Sequence, residues 1–158
     1  MEFTYNAVLP LDADEAFERL RHFLRVYPDL HAAHDPHPPG FEPPLLALGL
    51  EFMVGERFGP QVRTYAFRVV AFDPAARAIG LTAVTTTQIG PVRITSDLLV
   101  EWLLEAGAHG THFLTRQTVT TRPPWLAPLL LNRRAIQAHV DEETIASIAL
   151  LTSPDWPA

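Results

Sequence analysis

The chain contains two stretches in which apolar residues recur at helical spacing. The first opens at Asp12, a residue type that caps helices, and its apolar positions share one helix face: Ala13, Ala16, Phe17, Leu20 and Leu24. Asp12 and Glu15 also have the spacing of a capping box. The second stretch covers about residues 125–151, with Pro128 in its first turn, and predicts one long C-terminal helix.

Most of the remaining chain alternates apolar and polar residues, which is typical of β-strands. Residues 2–10 form the first such run, and Pro10 ends it. The further runs, separated by turn residues, are Leu48–Phe58, Val62–Phe72, Ala78–Thr87, Val92–Leu104 and Thr111–Thr121. Hairpin spacing of this kind predicts an antiparallel meander. We therefore predict an α+β fold in which a curved antiparallel sheet of about six strands wraps around the long C-terminal helix and leaves space for a cavity.

One segment follows neither periodicity. Residues 31–44 hold three histidines and five prolines and read as a loop. Loops of this length inside a compact domain are often functional. Neither a repeat nor a linker divides the chain, so residues 1–158 are expected to form a single domain that ends in a short tail, 152–158.

Composition and charge exclude several functions. The chain of 158 residues is 47% hydrophobic and 19% charged, as globular proteins are, and its net charge of −6 without a basic run argues against nucleic acid and membrane surfaces as partners. The absence of cysteine excludes disulfides, thiolate metal ligands and a cysteine nucleophile, and the absence of lysine excludes Schiff-base chemistry. With neither a signal peptide nor a membrane-spanning stretch visible, a cytoplasmic location is expected.

Three ionisable residues fall on faces that are predicted to be apolar. On a helical wheel, one side of the last helix holds Arg133, Arg134, Gln137, Asp141 and Thr144, and the other holds Ala135, Ile136, His139, Glu143, Ala146 and Leu150. His139 and Glu143 are four residues apart, so their side chains can reach one point. Strand alternation places Glu56 on the face of Phe52, Val54 and Phe58, although a register shift of one residue would turn it to solvent.

Two carboxylates in an apolar interior need compensation, because an unpaired buried charge is costly. They could be protonated, they could pair with an inward-facing Arg68 or Arg116, or they could bind a divalent cation with His139 as a nitrogen ligand. His31, His34 and His37 of the loop could supply one more ligand. A set of nitrogen and oxygen ligands suits zinc best, with iron, manganese or nickel as alternatives.

The order of elements resembles the helix-grip superfamily of START, polyketide-cyclase and pollen-allergen type proteins. The resemblance is carried by Leu11–Phe17 at the first helix, Val69–Pro74 at a hairpin and the long last helix. It implies an internal cavity for a hydrophobic small molecule. The polar residues further resemble the diacetylphloroglucinol and phloretin hydrolases, zinc enzymes that cleave a carbon–carbon bond between an acyl group and a phenolic ring. This resemblance implies the zinc ligands His34 (His31 as the alternate), Glu56, His139 and Glu143.

We therefore expect the protein to bind a small hydrophobic or aromatic molecule beside a divalent metal that supports hydrolysis of a carbonyl compound. The expected apolar wall consists of Phe52, Val54, Phe58, Ile136 and Val140. The alternative is a metal-free carrier or sensor of a lipid-like or polyketide-like molecule, and a third class is a partner-binding module with a large exposed apolar patch. Exposed edge strands permit a homodimer without requiring one.

Overall fold

The computed structural model describes residues 1–25, 42–58, 61–89, 91–126 and 133–156, with their side chains except those of residues 55–58, 61–64, 87–89, 92, 126 and 135. The elements, in chain order, are β1 (Glu2–Leu9), α1 (Ala13–Arg21), β2 (Glu51–Phe58), β3 (Gln61–Asp73), β4 (Ala78–Ile89), β5 (Val92–Gly107), β6 (Gly110–Arg122), a 3-10 turn (Pro124–Leu126) and α2 (Arg133–Leu151).

The strands form one antiparallel sheet of six strands in the order β1-β6-β5-β4-β3-β2. Strands β2 to β6 pair with their neighbours in the chain, and β1 closes the far edge by pairing with β6. This arrangement confirms the predicted α+β class and the meander. The strand predicted to begin at Leu48 begins at Glu51, because Leu48 and Gly49 form a turn in which Gly49 has a positive φ of 82°. β1 and β2 are the outer strands, and a homodimer stays a prediction.

Helix α1 begins where its sequence predicts. The Asp12 side chain accepts a hydrogen bond from the backbone N–H of Asp14 at 2.8 Å, which satisfies one free donor of the first turn. Glu15, predicted to complete a capping box, instead accepts a hydrogen bond from Arg19 at 2.6 Å. The apolar face of α1 packs on the sheet, and the rings of Phe17 and Phe72 lie 5.8 Å apart.

Arg19 joins α1 to the end of α2. Its guanidinium donates to the carbonyl oxygens of Leu151 at 2.8 Å and Ser153 at 3.0 Å, and it lies 5.7 Å from the ring centre of Trp156. These carbonyls come from the C-terminal end of α2, where the helix dipole favours a cation. The contact therefore holds the end of α2 against α1.

Arg19→Ala is expected to lower the free energy of unfolding by about 2 kcal/mol, because it removes hydrogen bonds from a charged donor to carbonyls that lie in a partly buried contact. The matched control is Arg68→Ala: Arg68 is exposed and stands 3.8 Å from Glu51, so its loss should cost less than about 0.5 kcal/mol. Urea unfolding measures both. Equal costs in the two variants would show that Arg19 does not hold the helices together.

Burial lowers the pKa of His22, the residue that caps the C-terminal end of α1, and the charge of Arg25 lowers that pKa further. The unfolded chain therefore binds the proton more readily than the folded protein. Stability should fall as the pH drops from the ordinary His value of 6.5 towards the lowered value. His22→Gln removes this contribution, so the stability of the variant relative to the wild type should rise on acidification. If the free energies of unfolding of the wild type and of His22→Gln, measured with urea, changed with pH in parallel, His22 would not be the source of this pH dependence.

The buried face of α2 differs from the predicted one. Val140, Thr144, Ser147, Leu150 and Leu151 are buried, whereas Thr144 was predicted to lie on the polar side. The Thr144 hydroxyl donates to the Val140 carbonyl oxygen and the Ser147 hydroxyl to that of Glu143, each at 2.7 Å. Because these bonds satisfy the hydroxyl hydrogens within the helix, both residues can be buried at little cost. The helical-wheel prediction was therefore wrong in placing Thr144 on the polar side.

The start of the last helix also differs from the prediction. Pro124–Leu126 form a 3-10 turn rather than its first turn, and α2 is described from Arg133; residues 127–132, with Pro128, lie outside the described residues. None of the helices in the described ranges is long and apolar enough to cross a membrane.

Candidate ligand cavity

A cavity of about 100 Å³ lies between α2 and the inner face of the sheet, which is room for several water molecules. Most of its wall is apolar. Its described lining residues are Phe23, Leu24, Leu46, Phe52, Val54, Phe67, Leu81, Leu98, Val100, Trp102, Phe113, Thr115, Gln117, Glu143, Thr144 and Ser147. A concave, mostly apolar space with a few polar groups is the usual form of a small-molecule site.

Aromatic side chains form two parts of the cavity wall. Phe52 of β2 and Phe67 of β3 are directly opposite each other in the strand register, and their rings stack 5.6 Å apart with an interplanar angle of 12°. Phe23, just beyond α1, meets Trp102 of β5 edge to face at 5.3 Å. Both pairs have preferred aromatic geometries, so these walls are defined by their own packing.

The polar part of the wall comes mainly from one side of α2. Glu143, Thr144 and Ser147 all border the cavity, and the Glu143 side chain is 17% exposed. A hydroxyl group carries one hydrogen, and Thr144 and Ser147 both donate theirs to the helix backbone. Towards the cavity these two hydroxyls therefore offer only lone pairs, which accept hydrogen bonds.

Two further polar residues face these from β6. Thr115 is 1% exposed and borders the cavity. Gln117 lies two positions along the strand and is half-buried. Alternation along β6 explains why both share the face of buried Phe113. Both side chains can exchange hydrogen bonds with a ligand in the cavity.

His139 and Glu143 meet at the rim of this region. The His139 Nε2 atom lies 3.3 Å from the Glu143 Oε1 atom, as the four-residue spacing on a helix allows. The His139 side chain is 36% exposed, about twice the fraction of its partner. The distance fits a direct ion pair or hydrogen bond. It also equals the separation, about 3.3 Å, of two ligands that each stand 2.0–2.1 Å from a tetrahedral zinc ion.

The other two predicted metal ligands cannot be placed beside this pair. His34 and its alternate His31 lie outside the described residues, and so does the side chain of Glu56, whose backbone pairs with Arg63 in β2. Among the described residues, no group of three or more histidines and carboxylates is arranged to hold a metal ion. The complete ligand set stays a prediction.

The predicted wall residues fall in different places. Phe52 and Val54 line the cavity; Val140 is fully buried and Ile136 half-buried on α2, and neither is among the described lining residues. The side chain of Phe58 lies outside the described residues.

The two arginines considered as inward-facing partners are on the outer surface. Arg68 is 61% exposed and stands 3.8 Å from Glu51. Arg116 is 45% exposed and lies between Glu2 at 3.9 Å and Glu101 at 3.8 Å. The interpretation that either arginine neutralises a carboxylate inside the fold is therefore wrong.

Sequence reasoning missed the polar wall of the cavity. Thr115 and Gln117 alternate with outward-facing residues on the strand of Phe113, and Thr144 and Ser147 repeat at helical spacing with Val140 and Leu151. Both signals were present in the sequence. Neither signal stands out, because threonine, serine and glutamine are mostly exposed in folded proteins.

The fold has close structural relatives of very different sequence. A search of family models finds no match, and a search of curated proteins finds none either. Among solved structures, the chain resembles Ara h 8.0201 at 13% identity, covering 96% of this chain and 95% of that one with a TM-score of 0.65. It resembles ginseng major latex-like protein 151 from Panax ginseng at 9% identity, 94% and 95% coverage and the same TM-score.

A third similar structure is the Zhui aromatase/cyclase from Streptomyces sp. R1128, at 16% identity, 96% and 91% coverage and a TM-score of 0.65. At such identities the likeness defines the fold, and the resemblance of the polar residues to zinc hydrolases stays a prediction. With its six-stranded curved sheet, its long C-terminal helix and these relatives over nearly its whole length, the chain has the helix-grip fold that its sequence predicts.

Proposed function

We propose that the protein binds a small hydrophobic molecule that contains a ring, in the cavity between α2 and the sheet. The observation that carries this proposal is the cavity wall, in which two aromatic pairs and several aliphatic side chains surround a few polar groups on α2 and β6. The name of one structural relative, an aromatase/cyclase, agrees with a small-molecule ligand.

A fluorescent probe tests this proposal directly. N-phenyl-1-naphthylamine is uncharged, and its emission rises in apolar surroundings. Titration into the purified protein should give a saturable increase with one site per chain, and energy transfer from Trp102 in the cavity wall should accompany it. A linear increase without saturation would show that the probe only partitions onto the surface and would contradict the proposal.

We propose metal-dependent hydrolysis as a second candidate function, and the geometry of His139 and Glu143 favours it. Their 3.3 Å separation fits two neighbouring ligands of one zinc ion. The candidates for completing the site are His34 (or His31) and Glu56. When bound, such an ion would polarise a ligand carbonyl and lower the pKa of a bound water. The protein's own part would be to hold the apolar remainder of the ligand against Phe52 and Val54.

Metal content distinguishes this second function from a metal-free carrier. Protein purified without a tag and incubated with zinc should retain about one zinc per chain after gel filtration if the site exists. His139→Ala and Glu143→Gln should lose it. Glu142→Gln, an exposed neighbour on the same helix, is the matched control and should keep it. Zinc-free wild-type protein, or equal zinc in all variants, would exclude the proposed ligands.

A further inference from the structure

The cavity has a definite hydrogen-bonding character on its α2 side. The Thr144 and Ser147 hydroxyls have donated their hydrogens to the helix backbone, so both oxygens can only accept from a ligand. Glu143 beside them brings a carboxyl group, which in its ionised form also only accepts. A ligand that lies against this side of the cavity meets acceptors in a row, and it forms hydrogen bonds only if it supplies the donor.

The opposite side of the cavity is less restrictive. Thr115 is buried and borders the cavity, and a threonine hydroxyl can either donate or accept a hydrogen bond. The Gln117 amide can do both. A ligand hydroxyl that lies against α2 can therefore donate to the acceptors there. A ligand hydroxyl that lies against β6 can accept from Thr115 or Gln117. A ligand without polar groups would form no hydrogen bond with Thr115 or Gln117 and would gain nothing from this side of the cavity.

The charge of the lining disfavours anions. Among the described lining residues, Glu143 carries a charged side chain and none is an arginine. The chain has no lysine at all. Arg68 and Arg116 are on the outer surface. A carboxylate ligand would therefore be removed from water without an arginine among the described lining residues to receive it, and the acceptor row of α2 would repel it.

We propose that the α2 row of Glu143, Thr144 and Ser147, facing Thr115 and Gln117, makes the cavity selective for neutral ring compounds with hydroxyl groups and against carboxylates of the same size. The stacked Phe52–Phe67 pair and the Phe23–Trp102 pair supply the flat apolar surfaces for the ring. This inference rests on the proposed small-molecule function and specifies the ligand class for the same cavity.

Three probes that share one ring system separate the selectivity of the cavity from its ability to bind a ligand at all. Naphthalene, 2-naphthol and 2-naphthoate differ only in the substituent, and the quenching of tryptophan emission or calorimetry gives their affinities for the wild-type protein at neutral pH. 2-Naphthol should bind about five- to ten-fold more tightly than naphthalene, as one or two hydrogen bonds would give. 2-Naphthoate should bind about ten-fold more weakly than 2-naphthol or not at all.

Variants then assign the preference to named residues. Thr115→Val keeps the shape of the side chain and should reduce the advantage of 2-naphthol over naphthalene to about two-fold or less. Thr120→Val, on the exposed face of the same strand, should leave that advantage unchanged. Glu143→Gln should strengthen 2-naphthoate relative to 2-naphthol.

The outcomes separate this inference from the proposed function. Equal binding of naphthalene and 2-naphthol, or tightest binding of 2-naphthoate, would overturn the selectivity while leaving a ligand cavity in place. Failure of all three probes and of N-phenyl-1-naphthylamine would overturn both. The comparison of the three probes on the wild-type protein tests the selectivity even if a variant does not fold.

Discussion

Ser147→Phe is expected to abolish binding of N-phenyl-1-naphthylamine, with a loss of affinity of about 100-fold or more. Ser147 borders the cavity from α2, and its hydroxyl donates to the carbonyl oxygen of Glu143 in the same helix, so the substitution breaks no described hydrogen bond to another element. The added ring has to occupy the cavity, because a well-packed fold has no other space for it. Probe titration measures the loss, and circular dichroism shows that the variant is folded.

Ala149→Phe is the matched control for this prediction. Ala149 lies two residues further along α2 and is exposed, so the same ring is added to the same helix outside the cavity. Surface changes of this kind cost about 0.5 kcal/mol or less, and the affinity should stay within about two-fold of the wild type. Wild-type affinity in a folded Ser147→Phe variant would show that the probe binds elsewhere.

Gly110→Ala is expected to destabilise the protein by about 3 kcal/mol or more, the largest stability change that we predict for a single substitution. Gly110 turns the chain from β5 into β6 with a φ of 130°, which an L residue rarely adopts. A Cβ atom there would overlap the carbonyl oxygen of Leu9 at the end of β1. Because Leu9 pairs with Thr111, relief of the overlap would break the β1–β6 register.

Gly49→Ala separates the overlap from the backbone strain. Gly49 also has a positive φ, 82°, but no atom lies within 4 Å of the position that its Cβ would take. The cost there should be the strain alone, about 1 kcal/mol. Urea unfolding of both variants gives the difference. If the two substitutions cost the same, the close approach of Gly110 to β1 does not constrain the fold.

The fold could be predicted from the sequence because each element has its own periodic signal. Alternation in β3 to β6 and the turn residues between them specify a meander, and the helix spacing after Asp12 specifies α1. The predicted capping box does not form, because the Glu15 side chain accepts a hydrogen bond from Arg19 instead. Arg19 also donates to the Leu151 carbonyl oxygen at the end of α2. The Glu15–Arg19 pair is local, with four-residue spacing, whereas the contact of Arg19 with Leu151 joins residues more than a hundred positions apart and leaves no local pattern.

The site could be predicted only in part, for reasons that lie in α2. The pairing of His139 with Glu143 follows from helix geometry and is present at 3.3 Å. The face that α2 buries was misjudged because Thr144 and Ser147 satisfy their own hydroxyls within the helix, so a count of polar residues gives the wrong side. The size of the cavity depends on the distance between α2 and the sheet. That distance is set by side-chain packing, and no local sequence pattern indicates it.

The measurement that tests the ligand cavity most directly is a map of amide NMR shifts during titration with 2-naphthol. We expect saturable shifts at Thr115, Gln117, Thr144 and Ser147, which border the cavity from two elements, and unchanged signals at Arg68 and Glu51 on the outer face. Shifts that follow one binding curve at the four cavity positions would place the ligand between α2 and β6. Saturable shifts confined to the outer face, or no saturable shifts at any concentration reached, would contradict a ligand-binding function for this cavity.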